Sequence, residues 1–183
     1  MASKIDMASN ALLLLGDAPI ASLDEDGAGA QVMSNIYEPT YLGLISQNIW
    51  GFARKQAELS QNVASPLFDY QYSYTLPADQ LRLIALASRF EYQVYENKLY
   101  TDDNAAKIDY IVRPDEGNLP PYFVELMQLQ LAANAAMAVT DRANLAAEMQ
   151  GRARNQYLIA MGADAQNDTN IAIKSSPFIE VRG

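Results

Sequence analysis

The spacing of apolar residues changes twice along this chain of 183 residues, and this change constrains the fold more than any other feature. Apolar residues recur at three- and four-residue steps over residues 3–15 and 28–48, which predicts two amphipathic helices. Residues 52–113 contain shorter, alternating runs that indicate strands, and helical spacing returns after Pro114. The sequence therefore predicts an α+β fold: an up-down bundle of about four helices, interrupted by a small antiparallel β-sheet.

Capping residues and prolines mark the predicted helix boundaries. Ser3 and Asp6 form a helix N-terminal signature, and Gly16 supplies the left-handed residue that ends the first helix. Pro39 predicts a kink or a break near residues 37–38. Asp141 is expected to end the third helix and to cap the fourth, which runs to about residue 161. Two buried faces are predicted from spacing: Ala30, Met33, Tyr37, Tyr41, Leu44, Ile45 and Ile49 on the second helix, and Phe123, Leu126, Met127, Gln130, Leu131, Asn134 and Met137 on the third.

The predicted sheet has four to six strands, drawn from residues 52–59, 70–74, 81–86, 90–95, 98–101 and 107–112. Asn97 tolerates a positive φ, so residues 96–98 indicate a tight hairpin turn. The expected organisation is a helical bundle of residues 1–51 and 114–164, an inserted antiparallel β region of residues 52–113, and an extended C-terminal tail of residues 165–183. Alanine is abundant in the third and fourth helices, which favours close helix packing.

Composition excludes several kinds of chemistry. The chain contains no Cys and no His, so it has no disulfide, no thiol nucleophile, no Ser-His-Asp triad and no imidazole-ligated zinc. Its 22 acidic and 13 basic residues give a net charge of −9, which argues against electrostatic binding to nucleic acid. The apolar run of residues 11–15 is too short for a signal peptide or a membrane span, so we expect synthesis in the cytoplasm and no membrane association.

Two groups of residues have both a functional and a structural interpretation. Asp24 and Asp26 lie in an acidic loop that could bind Mg²⁺ or Ca²⁺, but the loop lacks the ligand pattern of an EF-hand, and a solvated loop that caps a helix is favoured. Tyr70, Tyr72 and Tyr74 alternate along a predicted strand and could stack on bases of single-stranded nucleic acid. An alternating aromatic row is more often the packed face of a sheet. We therefore predict no metal and no cofactor.

Several motifs, taken in their order along the chain, resemble one protein family. They are Asn10-Ala11 with Leu15-Gly16-Asp17-Ala18-Pro19-Ile20, then Trp50-Gly51-Phe52-Ala53, Leu76-Pro77-Ala78-Asp79 within residues 72–82, Tyr95-Glu96 with Leu99-Tyr100-Thr101-Asp102, and Asp109-Tyr110-Ile111 followed by Pro121-x-Phe123. Together they resemble the head-to-tail adaptors of tailed bacteriophages, called tail tubular protein A in short-tailed phages. The resemblance extends over most of the chain.

The resemblance implies a structural protein of the virion that is not an enzyme. Such adaptors form a twelve-fold ring that docks beneath the portal protein, extends the channel for double-stranded DNA and receives the tail nozzle or tail tube. It implies a portal contact in the C-terminal tail, made by Pro177, Phe178, Ile179, Val181 and Arg182. It implies a contact of the hairpin with the next tail component, made by Tyr95, Glu96, Asn97, Lys98 and Tyr100. Trp50, Phe52 and Pro77 are expected at structural junctions.

Two other functions remain open from the sequence. One is a nucleic-acid-binding module that uses the face of Tyr70, Tyr72 and Tyr74. The other is a carboxylate-based hydrolase of the tail that degrades cell walls, with Asp24 and Asp26 as the residues to test.

Overall fold

The computed structural model describes residues 2–67 and 69–167. These ranges contain four α-helices and six strands: α1 (Lys4–Leu14), α2 (Ala28–Gln47), β1 (Arg54–Glu58), β2 (Tyr72–Thr75), β3 (Gln80–Leu86), β4 (Tyr92–Tyr95), β5 (Lys98–Thr101), β6 (Lys107–Val112), α3 (Pro121–Thr140) and α4 (Ala143–Ala165). The α+β architecture predicted from the sequence is confirmed. Helix α4 extends four residues beyond its predicted end.

Helix α3 lies at the centre of the bundle, where it contacts α1, α2 and α4. Its central position explains why α3 is apolar around most of its circumference. The alanines of α3 and α4 are largely used inside this bundle, since the buried ones are Ala132, Ala133, Ala135, Ala136, Ala146, Ala153 and Ala160. Asn134, predicted to be buried, is exposed and donates a hydrogen bond of 2.9 Å from its side chain to the Thr40 hydroxyl. The periodic patterns also run slightly too far toward the helix ends. Ile49 and Met137, both predicted to be buried, are about half exposed.

The helix boundaries follow the predicted capping chemistry in three of four cases. The side chain and backbone of Ser3 form the predicted capping box with Asp6, and Gly16 has the predicted positive φ of 78°. Asp141 also has a positive φ, 52°, and ends α3 by donating its N–H to the Met137 carbonyl. Because Asp141 occupies this left-handed position, it does not cap α4, which begins after Arg142 without a side-chain cap.

Helix α2 contains two positions where the backbone is under special constraint. The helix runs without interruption through Pro39, so it does not break there. Pro39 is on the exposed side, where the carbonyl that loses its intrahelical donor can bind water. Gly29 lies near the start of α2 against α1. A Cβ atom at Gly29 would stand 2.7 Å from an Asp17 carboxylate oxygen and 3.1 Å from the Leu12 side chain, so a larger residue would require both side chains to move.

The strands form two sheets instead of the single sheet predicted. Their orders are β1-β6-β3 and β2-β5-β4, and every pairing is antiparallel. Between them the sheets bury a second hydrophobic core, separate from that of the bundle, made of Leu59, Tyr74, Leu76, Leu86, Leu99, Ala106, Ile108 and Tyr110. Two three-stranded sheets facing each other bury more apolar surface than one flat sheet with a solvated face.

Three predicted strands begin later than expected. Phe52 lies in a short 3₁₀ turn, Gly51–Ala53, which brings its ring onto the bundle core before β1 starts. Tyr70 precedes β2 and directly follows Asp69, which has a left-handed φ of 60°. Phe90 likewise precedes β4, which begins at Tyr92.

Candidate functional site

An aromatic cluster joins the bundle to the β region. Trp50 is fully buried, and its indole N–H donates a hydrogen bond of 2.9 Å to the Leu44 carbonyl. The rings of Trp50 and Phe52 both meet Phe123 edge-on, with centroids 5.2 Å and 5.0 Å away. Trp50 also packs against Tyr157 of α4. The structure thus places Trp50 and Phe52 where α2 ends and β1 begins.

A buried carboxylate holds the same junction from the other side. Asp164 accepts a hydrogen bond of 2.9 Å from the Gly51 N–H and one of 2.7 Å from the Tyr122 hydroxyl. Burial and this hydrogen bond to a carboxylate raise the pKa of Tyr122 well above its usual value. Asp164 therefore fastens the end of α4 to the start of the β region. The sequence carries no signal for this role, because an Asp near a helix end is usually solvated.

An ionic network holds the other end of the β region. Arg113, just after β6, donates two hydrogen bonds of 2.6 Å and 3.0 Å to Glu38 and one of 2.7 Å to Glu116. Its guanidinium also lies 4.4 Å from the centroid of the Tyr41 ring. The hydrogen bonds from Arg113 lower the pKa of Glu38. Burial is the largest single influence on Glu116 and raises its pKa, but the hydrogen bond and the charge of Arg113, together with a backbone hydrogen bond and one from Tyr37, outweigh burial and lower the pKa.

The hairpin of β4 and β5 contains all five residues predicted to contact a tail component. Glu96 and Asn97 form its two-residue turn with φ values of 52° and 57°, as a type I′ turn requires. Tyr95 and Tyr100 stack in parallel with centroids 4.0 Å apart, and Tyr95 is 45% exposed. Lys98 faces Tyr95 across the turn. The hairpin is therefore a rigid element that presents an aromatic pair near its tip.

The hairpin turn is tied to the connection between the two sheets. The Asn97 carbonyl accepts a hydrogen bond of 3.1 Å from the Leu76 N–H. Pro77 follows and closes the β2–β3 turn by accepting from the Gln80 N–H. Pro77 thus lies at the junction between the sheets, whereas Trp50 lies at the junction with the bundle.

Strand β4 forms an open edge of its sheet. It is the last strand in the order β2-β5-β4, and each of its four residues is exposed. The opposite edge, β2, is partly covered, because Gln61 bridges to Tyr74 and the Asn62 N–H donates to the Ser73 carbonyl. The exposed side chains on and beside β4 are largely apolar: Phe90, Tyr92, Val94 and Tyr95. An exposed apolar edge is a surface that soluble proteins usually avoid, although β4 is only four residues long.

The loop of residues 62–67 lies beside the hairpin and adds to this surface. Val63 and Leu67 are almost fully exposed. The loop, Ser73 and the residues around the hairpin tip enclose a groove of about 560 Å³, with Tyr95 and Tyr100 on its wall. Together, β4 and the 62–67 loop make the largest group of exposed apolar side chains in the β region of the described chain. We refer to it as the hairpin surface.

A second exposed apolar surface lies on α4, on the side opposite α3. Leu158 is 61% exposed and Ile159 is more than half exposed. Gly151 and Gly162 have open space where a side chain would stand. Since the buried alanines of α4 face α3, this outer side has no partner among the described residues.

The remaining sequence candidates fall into three groups. Pro177, Phe178, Ile179, Val181 and Arg182 lie outside the described residues. Asp24 and Asp26 are exposed in the α1–α2 loop, where the neighbouring Glu25 carboxylate accepts hydrogen bonds from the Ala21 and Ser22 N–H groups. The tyrosines form no stacking platform, because Tyr74 is buried with its hydroxyl on the Asp103 carbonyl and Tyr72 packs against the second core.

Within residues 2–67 and 69–167, no three acidic side chains are grouped so that they could hold a metal ion. No helix of the described chain has both the length and the apolar character needed to cross a bilayer. No protein-family model matches the chain, and no curated protein matches it significantly.

Proposed function

We propose that this chain is a non-enzymatic structural subunit of a bacteriophage virion, a head-to-tail adaptor that connects the portal to the tail. The proposal combines the resemblance of the sequence with one structural observation. A helical bundle carries an inserted pair of sheets that ends in a rigid hairpin with an open apolar edge. An exposed surface of this kind suits a protein that works by binding other proteins.

The proposed assembly uses three separate parts of the chain. Twelve copies form a ring beneath the portal, with the outer side of α4 available for packing against a neighbouring copy. The hairpin surface contacts the tail nozzle or tail tube protein. The C-terminal residues, including Phe178 and Val181, bind the portal. The ring extends the channel through which the genome leaves the head.

The charge of the chain supports passage of DNA without binding. Each copy has a net charge of −9, so twelve copies would surround the channel with about 108 negative charges. Like-charge repulsion would keep double-stranded DNA from adhering to the wall. No cofactor is needed for such a role, because the function depends on shape and contact alone.

The decisive experiment mixes the protein with portal-containing heads and images the product by electron microscopy. We expect an added ring at the portal vertex. Deleting residues 175–183 should abolish attachment and leave the circular dichroism and melting temperature of the subunit unchanged. A chain in which Phe178 and Val181 are both replaced by Leu keeps apolar contacts and serves as the matched control. Normal attachment of the truncated protein would refute the assignment of the C-terminal residues, and failure of the full chain to add a ring would refute the adaptor function.

The two alternatives have less support from the described residues. Burial of Tyr74 removes one member of the proposed base-stacking row, so a single-stranded DNA gel shift should show no binding. A hydrolase would require activity on cell-wall substrates that depends on Asp24 or Asp26, which a zymogram of the two alanine variants would test.

A further inference from the structure

The open edge of β4 has a defined pattern of unpaired backbone groups. Tyr95 and Lys98 flank a two-residue turn, and residues in that position exchange both backbone hydrogen bonds across the hairpin. Bonded and non-bonded pairs then alternate along the ladder, so Gln93 bonds toward Tyr100 while Val94 and Tyr92 do not bond toward β5. The N–H and C=O groups of Val94 and Tyr92 therefore point away from the sheet. No further strand of the described chain lies on that side.

Apolar side chains border this row of backbone groups on both faces. Tyr92 and Val94 lie on the same face of the sheet as Leu99, which belongs to the second core. They extend this apolar face to the open edge, where Val94 is 44% exposed. On the opposite face, Tyr95 borders the groove beneath the 62–67 loop. A strand added beside β4 would cover apolar surface with alternate side chains on each of its own faces.

The rim of this edge is acidic. Asp69, Glu91, Glu96 and Asp102 surround the hairpin, and none of them is ion-paired with a described basic residue. Their proximity contributes to the raised pKa values of Tyr70 and Tyr95, after burial as the largest cause. Two basic residues, Arg89 and Lys98, are also nearby, so the surplus is negative. A partner segment with basic residues at its ends would match this rim.

We propose that the β4 edge binds an extended segment of a partner protein by strand addition, and that this segment is apolar in its centre and carries Lys or Arg at both ends. The proposal rests on the proposed function, because it specifies how the hairpin surface would hold the next tail component. The two ideas can fail separately. Backbone hydrogen bonds to Val94 and Tyr92 supply the attachment, and the apolar and acidic surroundings select the segment.

The test uses the full chain and a fluorescein-labelled peptide, Lys-Val-Thr-Ile-Thr-Val-Lys, whose binding is followed by fluorescence anisotropy. Val94→Pro removes an outward N–H, a change that edge strands tolerate. We expect it to weaken binding at least about tenfold, whereas Val94→Ala should change it by less than about threefold. Tyr92→Pro removes the other outward N–H and is the second variant if Val94→Pro does not fold. Gln93→Ala should bind normally.

Two peptide controls examine the chemistry of the segment. The same peptide with Glu at both ends should bind about tenfold more weakly at low salt, and the difference should shrink at about 0.5 M salt. A peptide with Pro at its centre should not bind, because it cannot form the ladder. Absence of binding to the Lys-flanked peptide, or equal binding by Val94→Pro, overturns strand addition. Peptide binding by a protein that adds no ring to portal-containing heads overturns the adaptor function alone.

Discussion

Trp50 offers the sharpest test of how the bundle and the β region are joined. Replacing it with Ala removes the largest fully buried side chain and its contacts with Phe52, Phe123 and Tyr157. Truncations of this kind cost about 3–5 kcal/mol. The Leu44 carbonyl also loses the indole donor, which adds about 1 kcal/mol because this carbonyl lies near the end of α2 and can partly hydrate. We expect a total loss of about 4–6 kcal/mol in the free energy of unfolding.

Denaturation by guanidinium chloride, followed by far-ultraviolet circular dichroism, measures this loss. Trp50 is the single tryptophan, so fluorescence can follow the native chain but not the variant. For a chain of this size the loss should lower the melting temperature by roughly 10–20 °C. Trp50→Phe keeps an aromatic ring at the junction but removes the donor to Leu44, and should cost about 1–3 kcal/mol. Ile49→Ala, at the neighbouring half-exposed position, is the matched control and should cost less than about 1 kcal/mol.

A loss of less than about 1 kcal/mol for Trp50→Ala would refute the reasoning. It would mean that the aromatic cluster does not hold the junction in solution. Equal losses of unfolding free energy for Trp50→Ala and Trp50→Phe would contradict the estimate in another way. They would mean that the hydrogen bond to Leu44 contributes more than the packing of the indole ring.

Three further predictions concern the polar contacts at the junction. Arg113→Ala should lower the free energy of unfolding by about 2–3 kcal/mol in the same denaturation assay, because it leaves Glu38 and Glu116 without their donor in a partly exposed network. In the folded state both carboxyl groups have pKa values below the usual 4.5. Their contribution to the free energy of unfolding is therefore complete above that pH and should be lost as pH falls below it. Glu38→Gln should flatten this part of the profile of stability against pH. Asp164→Ala should cost about 1–3 kcal/mol and accelerate hydrogen exchange of the Gly51 amide, as measured by mass spectrometry.

Matched controls exist for these variants. Lys107→Ala removes an exposed ion pair, 3.8 Å between Lys107 and Glu58, and should change stability by less than about 0.5 kcal/mol. An equal effect of Arg113→Ala and Lys107→Ala would contradict the importance of the Arg113 network. Unchanged exchange at Gly51 in the Asp164 variant would show that the carboxylate does not hold the start of the β region.

Periodicity predicts the buried face of α2 well because this helix buries one continuous face, whereas α3 is buried around most of its circumference. Tyr37 and Tyr41 are both buried, as their spacing requires. The same reasoning fails at Ile49 and Met137, because periodicity continues to the helix ends and neighbouring elements do not cover them. Spacing along the chain reveals which side of a helix is apolar, but not how far its partner extends.

The division into two sheets could not be predicted from the sequence. β3 lies between β2 and β5 along the chain, yet it pairs with β6 in the other sheet. Such pairing depends on contacts between distant residues and leaves no local pattern. The turn at Asn97 was predictable because its chemistry is local. No sequence signal marks Arg113 or Asp164, because each binds a partner that is distant along the chain. Arg113 binds Glu38, more than 70 residues before it, and Asp164 binds Gly51, more than 110 residues before it.

The two attachments of the β region have a mechanical consequence. The chain leaves the bundle at Gly51, held by Asp164 of α4, and returns at Arg113, held by Glu38 of α2. A pulling force applied at the hairpin would therefore be divided between two helices and would load both attachments at once. Contacts loaded side by side must break together, whereas contacts loaded in series break one after another. The hairpin can thus transmit tension to the bundle without first peeling away from it.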